Sequence, residues 1–489
     1  MTDSQPYLTL ADKRLQTLLA ITKQWAEWSR CTDDARIQTI SIAMRALAAF
    51  AEPQISFFIR GFDTPASAQP CEQHRGFLEY PADCAIENVI GNMLDQVAAD
   101  LSVYTQALSQ RTAMTAVAGY AETLQLADRL ATIALQTAWQ LDAGDLIGLG
   151  IVATPVTYFQ KSPQVRIVPY VPVALVGVPF TAIGNPRDLI GIAHEIGHYV
   201  FARYTEPSKA EAGREGSAVS SQRLETWKEG LQWANDWIEE IFADAFGFLI
   251  AGPIAGITLQ ELLLLQNKED LVVDNGIHPI SAVRGYIATD SLRIIADAVS
   301  DDLKAPLQAA ACFLEERWGE RLADFGIAAE YLLTNRAGEK AALSTVRAEV
   351  QVVLQRIYCD LADLLCADHG APPTMWSTGL EDGDQVDGEV VLSEQFQQYI
   401  EQNLPDSLAI PELHLGSNLE IVQVVSHGQV QNCLTLGATG LDFDALRDKA
   451  LQTGQIGDFI LKQDWCWFVP KWGNHPRGPG NTHIIKVAS

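Results

Sequence analysis

The stretch Asn185–Phe201 reads NPRDLIGIAHEIGHYVF, and its spacing governs how the rest of the chain is read. Asn185 is a good helix cap and Pro186 fits a first helical position, which predicts a helix running on from there. On that helix His194 and His198 stand four residues apart, one turn apart on a single face. Two imidazoles so placed can reach one metal ion, with Glu195 projecting beside them toward a metal-bound water. A buried helix with incidental histidines would carry the same letters. A third ligand has to decide.

Catalytic zinc takes three protein ligands and keeps one position open. The metzincin extension needs Gly three residues and His six residues after the second His. Those positions hold Phe201 and Tyr204, so that solution is excluded. The other solution is a glutamate from a second helix. Trp233–Leu249 (WANDWIEEIFADAFGFL) is strongly helical in pattern and places Glu240 and Asp244 one turn apart. Ile241, Phe242, Ala243, Ala245 and Phe246 surround these acids, so they do not sit on an ordinary solvated face. Glu240 as a zinc ligand, and Asp244 as acceptor for the outer ring nitrogen of a ligand histidine, would give both acids partners. Glu239 is the competitor, and its place 100° round the helix predicts that it faces water.

HExxH followed by ExxxD on a later helix resembles the gluzincin pattern of thermolysin-like zinc peptidases. A third element, His278-Pro-Ile-Ser-Ala-Val-Arg284, resembles the His-Pro…Arg motif of HtpX-like and CAAX-prenyl-type endopeptidases. Their Glu-x-x-Ala-Asp form also matches Glu240–Asp244. The likeness covers about residues 165–290. Those relatives commonly carry membrane helices, and most have a second Pro where Ile280 stands. The resemblance implies that His194, His198 and Glu240 bind Zn2+, with Glu195 as the general base of peptide hydrolysis. Asp244 would orient a ligand histidine. His278 or Arg284 would either stabilise the oxyanion or lock the acids behind the metal. The Val171–Ile183 segment would be the sheet edge that pairs with an extended substrate.

The remaining sequence bounds this reading. In 489 residues there are 34 basic and 61 acidic side chains, a net charge of −27. Such a balance repels phosphate backbones and anionic lipid surfaces, which argues against nucleic acid as the main partner. Apolar residues make up 48% and charged residues 19%, values of a folded protein with a large core. Eight scattered cysteines without a CxxC pair imply no disulfide framework. The start MTDSQPYLTLADKRL lacks the pattern of a secretory signal, which predicts a cytoplasmic protein. Two uncharged runs, Ile167–Gly184 and Ala245–Gln260, are broken by proline and are expected to be buried core, not membrane anchors.

Residues 1–150 read as a helical N-terminal region, with a Gly/Pro/Ser-rich loop at Gly61–Gly76. Residues 151–368 would form the peptidase core, with strands between Val152 and Ile183 and helices onward to about 367. A linker at Gly370–Gly388 leads into a small α+β module within 369–489, where Trp465, Trp467 and Trp472 crowd together. The acidic run Glu381–Glu389 does not fit a calcium loop, because Val386 and Asp387 fall at ligand and glycine positions. Cys71 and His74 are a weak candidate for an inhibitory zinc ligand. The expected fold is therefore α+β and mostly helical, built around a gluzincin-like core. The expected activity is a zinc-dependent endopeptidase acting on proteins or peptides. The alternatives are a non-catalytic binding protein that keeps the fold and zinc, and hydrolysis of a non-peptide amide.

Overall fold

The computed structural model describes residues 5–29, 36–52 (without 38, 42, 46, 49 and 50), 86–112, 118–141, 155–205 (without 167 and 169–172), 224–298 and 301–366. The expected 369–489 module, the acidic run and the Cys71/His74 loop lie outside the described residues. Within them the protein is mostly helical with two small sheets. Helices α1 (Gln5–Ser29), α2 (Ile86–Thr112) and α3 (Tyr120–Leu141) come first. Strands β1 (Val156–Gln160), β2 (Gln164–Arg166) and β3 (Leu175–Pro179) follow, then helix α4 (Ile192–Thr205). After it come α5 (Ile238–Ala251), α6 (Pro253–Leu264), α7 (Lys268–Val272), α8 (Ser281–Ala298) and α9 (Asp301–Asp324). A hairpin of β4 (Leu332–Thr334) and β5 (Lys340–Ala342) leads into α10 (Leu343–Cys366).

The three-stranded sheet is buried on both faces, as the alternation of its strands requires. Val156, Tyr158 and Leu175 pack on one side with α1 and α2. Phe159, Val176 and Val178 pack on the other with α3, α4 and α5. Strand β3 lies in the middle, parallel to β1 and antiparallel to β2. This corrects the expectation that Val171–Ile183 forms a substrate-facing edge, because β3 has a paired strand on each side.

The outer edge of β1 is closed by side chains. Phe159 donates its N–H to Gln110 Oε1 at 2.7 Å, and its carbonyl accepts from Gln106 and Gln110 at 2.7 and 2.8 Å. Thr157 donates to Asp128 Oδ1 at 3.1 Å and accepts from Arg111 at 2.8 Å. Arg111 and Asp128 are themselves a bidentate pair, both bonds 2.9 Å long. An edge whose backbone groups are already satisfied offers nothing to an incoming strand. The opposite edge is β2, whose outward Val165 N–H is taken up by the Glu195 carboxylate at 2.8 Å.

The predicted helix does not begin at Pro186. Residues Pro186–Leu189 form a separate 3-10 turn, and α4 starts at Ile192. Asp188 closes that turn, accepting from the Asn185 side chain at 2.9 Å and from the Thr181 hydroxyl. The helix is thereby re-aimed before it reaches His194. The apolar run Ala245–Gln260 is divided between α5 and α6 at Gly252, whose φ of 63° suits glycine and sets Pro253 as the first residue of α6. Among the described residues no helix is long and apolar enough to cross a membrane.

Helix α5 is the axis of the larger core, with twelve of its fourteen residues buried. Only Glu239 and Ala251 are left out of that burial. Phe242 stacks on Trp227 and Phe246. The approach to α5 is pinned by Glu349 of α10, whose Oε1 accepts the N–H groups of Gln232, Trp233 and Ala234 at 2.8, 2.6 and 2.8 Å. Helix α4 packs directly along α5 at Gly197. A Cβ there would come within 2.8 Å of the Ala243 Cα, so only glycine lets the two backbones approach this closely.

Candidate metal centre

The close approach of α4 and α5 brings three ligand atoms together. His194 Nε2 and His198 Nε2 lie 3.1 Å apart, and each is 3.6 Å from an oxygen of Glu240. Tetrahedral zinc with bonds of about 2.05 Å would hold its ligands about 3.3 Å apart. The triangle brackets that spacing, and it is the group of metal-binding side chains found among the described residues.

The outer nitrogens explain why the inner ones face each other. His194 Nδ1 is 2.9 Å from Asp244 Oδ1, and His198 Nδ1 is 3.1 Å from Glu239 Oε1. Ionised carboxylates only accept, so each Nδ1 donates and each neutral ring turns an Nε2 lone pair inward. Two lone pairs 3.1 Å apart repel unless a proton or a cation lies between them. A metal ion at the centre of the triangle would meet that need. Burial works to lower the His198 pKa, but the Glu239 bond and the charges of Glu240 and Glu195 outweigh it and lift the group to about 9. The donor set of two imidazoles and one carboxylate is the one that suits zinc, so the residues fit the metal they were expected to bind.

Glu239 corrects the sequence-based expectation that it faces water. It is half-exposed but turned onto His198, doing for that ring what Asp244 does for His194. The signal lies in the chemistry, because each of two ligand histidines needs an acceptor of its own.

Arg284 reaches the acids from α8. Its Nε and Nη2 bond both oxygens of Asp244 at 2.8 Å, and Nη2 also lies 3.3 Å from Glu240 Oε2. Burial works to raise the Asp244 pKa, yet Arg284 and His194 hold it well below the usual carboxylate range. Burial likewise works to lower Arg284, and Asp244 and Glu240 raise it above its ordinary value. Of its two expected positions, Arg284 takes the one against the acids. It clamps the acids.

His278 sits in the loop before α8 with its side chain 42% exposed and Nε2 3.4 Å from Glu240 Oε1. Asn275 Oδ1 accepts the N–H groups of Ile277 and His278 at 2.9 and 2.8 Å, a local turn that presents the ring to the site. Burial lowers its pKa, with Arg284 and His194 adding to that and Glu240 and Asp244 opposing it. A partly open imidazole beside the candidate ligands can donate or accept a proton there.

Glu195 follows His194 on α4, and its Oε2 accepts the backbone N–H of Val165 at 2.8 Å. Its charge also contributes to the field felt by His198 and Arg284. The Val165 bond has no sequence signal, since any residue but proline supplies it. No protein-family model matches the chain, and comparisons with curated proteins and with solved structures return no match either. The functional reading therefore rests on the site itself.

Proposed function

We propose that the chain is a zinc-dependent endopeptidase of the gluzincin type. The observation that carries this reading is the inward-facing triangle of His194, His198 and Glu240, with both outer ring nitrogens held by acids and Glu195 alongside. When bound, zinc would polarise a substrate carbonyl and make water a stronger acid. Glu195 would accept the proton of the attacking water and pass it to the leaving amine. His278, exposed on the near side of Glu240, would donate to the oxyanion of the tetrahedral state. Asp244, Glu239 and Arg284 would keep the two imidazoles and Glu240 in place. A site that only held metal would have no use for a base in this position.

Metal analysis paired with a broad peptide-library digestion tests the proposal. The expected result is about one zinc per chain, lost in His194→Ala and Glu240→Ala, and cleavage by the wild type only. Zinc retained in both variants would overturn the ligand set. Zinc bound stoichiometrically with no cleavage would favour the binding-protein alternative.

A further inference from the structure

The carboxylate of Glu195 is held from outside its own helix. The N–H of Val165, the middle residue of β2, donates to it and so points away from β3 toward α4. A three-residue edge strand has little pairing of its own to fix its depth against a helix. A second contact fixes it. Arg166, the next residue, donates from Nε to Asp100 Oδ1 at 2.6 Å and also reaches that oxygen through Nη2. Asp100 is fully buried on α2, Arg166 is nearly so, and Gln96 adds a bond to the same oxygen at 3.2 Å.

A buried ion pair of this kind contributes little net stability compared with apolar side chains of similar size, so what it supplies is a fixed geometry. That geometry runs from α2 through Asp100 and Arg166 to β2, and from the Val165 amide to Glu195. We infer that Asp100 and Arg166 are positioning residues for Glu195, acting through the backbone of β2. The pair sets the strand so that the Val165 N–H ties down Oε2 and leaves Oε1 free to take a proton. The N-terminal helices thereby help to aim the base. The catalytic meaning of this inference rests on the proposed hydrolase reading, but the mechanical coupling does not.

Residue-resolved hydrogen exchange on the full chain tests the coupling. Exchange at the Val165 amide should rise about tenfold in Glu195→Ala, the loss of one hydrogen bond. It should rise comparably in the apolar pair Asp100→Leu/Arg166→Met, chosen to retain the fold. The Val176 amide, in the middle of the sheet, should stay unchanged and report that the fold is intact. Wild-type exchange at Val165 in the double variant would overturn the inference. For the catalytic arm, Val165→Ala controls for the loss of a half-buried side chain, and Val165→Pro further removes the outward N–H, at a place where an edge strand accepts proline. Val165→Pro and the apolar pair should each lower kcat about tenfold with KM and zinc content unchanged. Altered exchange with an unchanged kcat would overturn the positioning role. A wild type that hydrolyses nothing would sink the hydrolase reading instead, and the exchange result would still decide the coupling.

Discussion

Gly197 of α4 lies against Ala243 of α5 so closely that a Cβ on the glycine would meet the Ala243 Cα at 2.8 Å and its carbonyl oxygen at 3.0 Å. The contact sits between the two ligand histidines on one helix and beside Glu240 on the other. It sets the distance across which the triangle closes. Both contacted atoms are backbone, so they cannot turn aside. Gly197→Ala should cost about 1–3 kcal/mol by overpacking and weaken zinc binding at the same time. Gly191→Ala is the control, because a Cβ there meets nothing within 4 Å. Thermal melting and zinc titration of the two variants check this, and equal behaviour would contradict it.

Arg284→Met should act on stability before it acts on chemistry. The substitution leaves Asp244, 3% exposed, without its bidentate partner. Removing one member of a buried pair costs about 3–5 kcal/mol. A lower melting temperature and looser zinc are expected together. Unchanged melting and zinc content would show that the clamp is dispensable.

His278→Ala should do the opposite. The ring is partly exposed and its local turn is made by backbone N–H groups, so the fold and the zinc should remain. Loss of an oxyanion donor should lower kcat and kcat/KM together, by about 100-fold. A changed KM with an unchanged kcat would place His278 in substrate binding instead.

The protonation of His198 predicts how zinc affinity depends on pH. In the metal-free chain its pKa is raised from 6.5 to about 9, so the proton on it stabilises the fold below pH 6.5 and that contribution is lost as pH rises through 9. Zinc needs the neutral ring, so its apparent affinity should climb about tenfold per pH unit toward 9 and then flatten. Asp244 has the reverse sign. Its pKa is depressed, so its contribution is present above the ordinary carboxylate value and is lost only in strong acid. Glu239→Gln removes the leading upward influence on His198, and the plateau should begin at a lower pH. Zinc titrations from pH 6 to 10 check both points.

The features legible in the sequence are those written in side-chain spacing. The turn between His194 and His198, and the acids set in the apolar run of α5, follow from helical periodicity alone. So does the break at Gly252-Pro253. The missed features depend on specific contacts that side-chain periodicity does not encode. Asp188 diverts the expected start of α4 by closing its own turn with Thr181 and Asn185. Strand β3 becomes central because β1 and β2, consecutive in sequence, do not pair with each other. The β4–β5 hairpin has strands of only three residues, too short for alternation to show, although Asn335 and Gly338 mark its turn. Helical periodicity turns Glu239 toward water, and it takes His198 on the neighbouring helix to draw the carboxylate inward.

The central claim is that Glu195 is the base of a metal-dependent hydrolysis, and Glu195→Gln tests it most directly. The change preserves size and helix propensity, leaves His194, His198 and Glu240 untouched, and can still accept the Val165 N–H. Peptide hydrolysis should be measured for wild type and variant at matched zinc content. The account predicts equal zinc and a rate lower by at least about 100-fold in Glu195→Gln. Equal rates at equal zinc would contradict it.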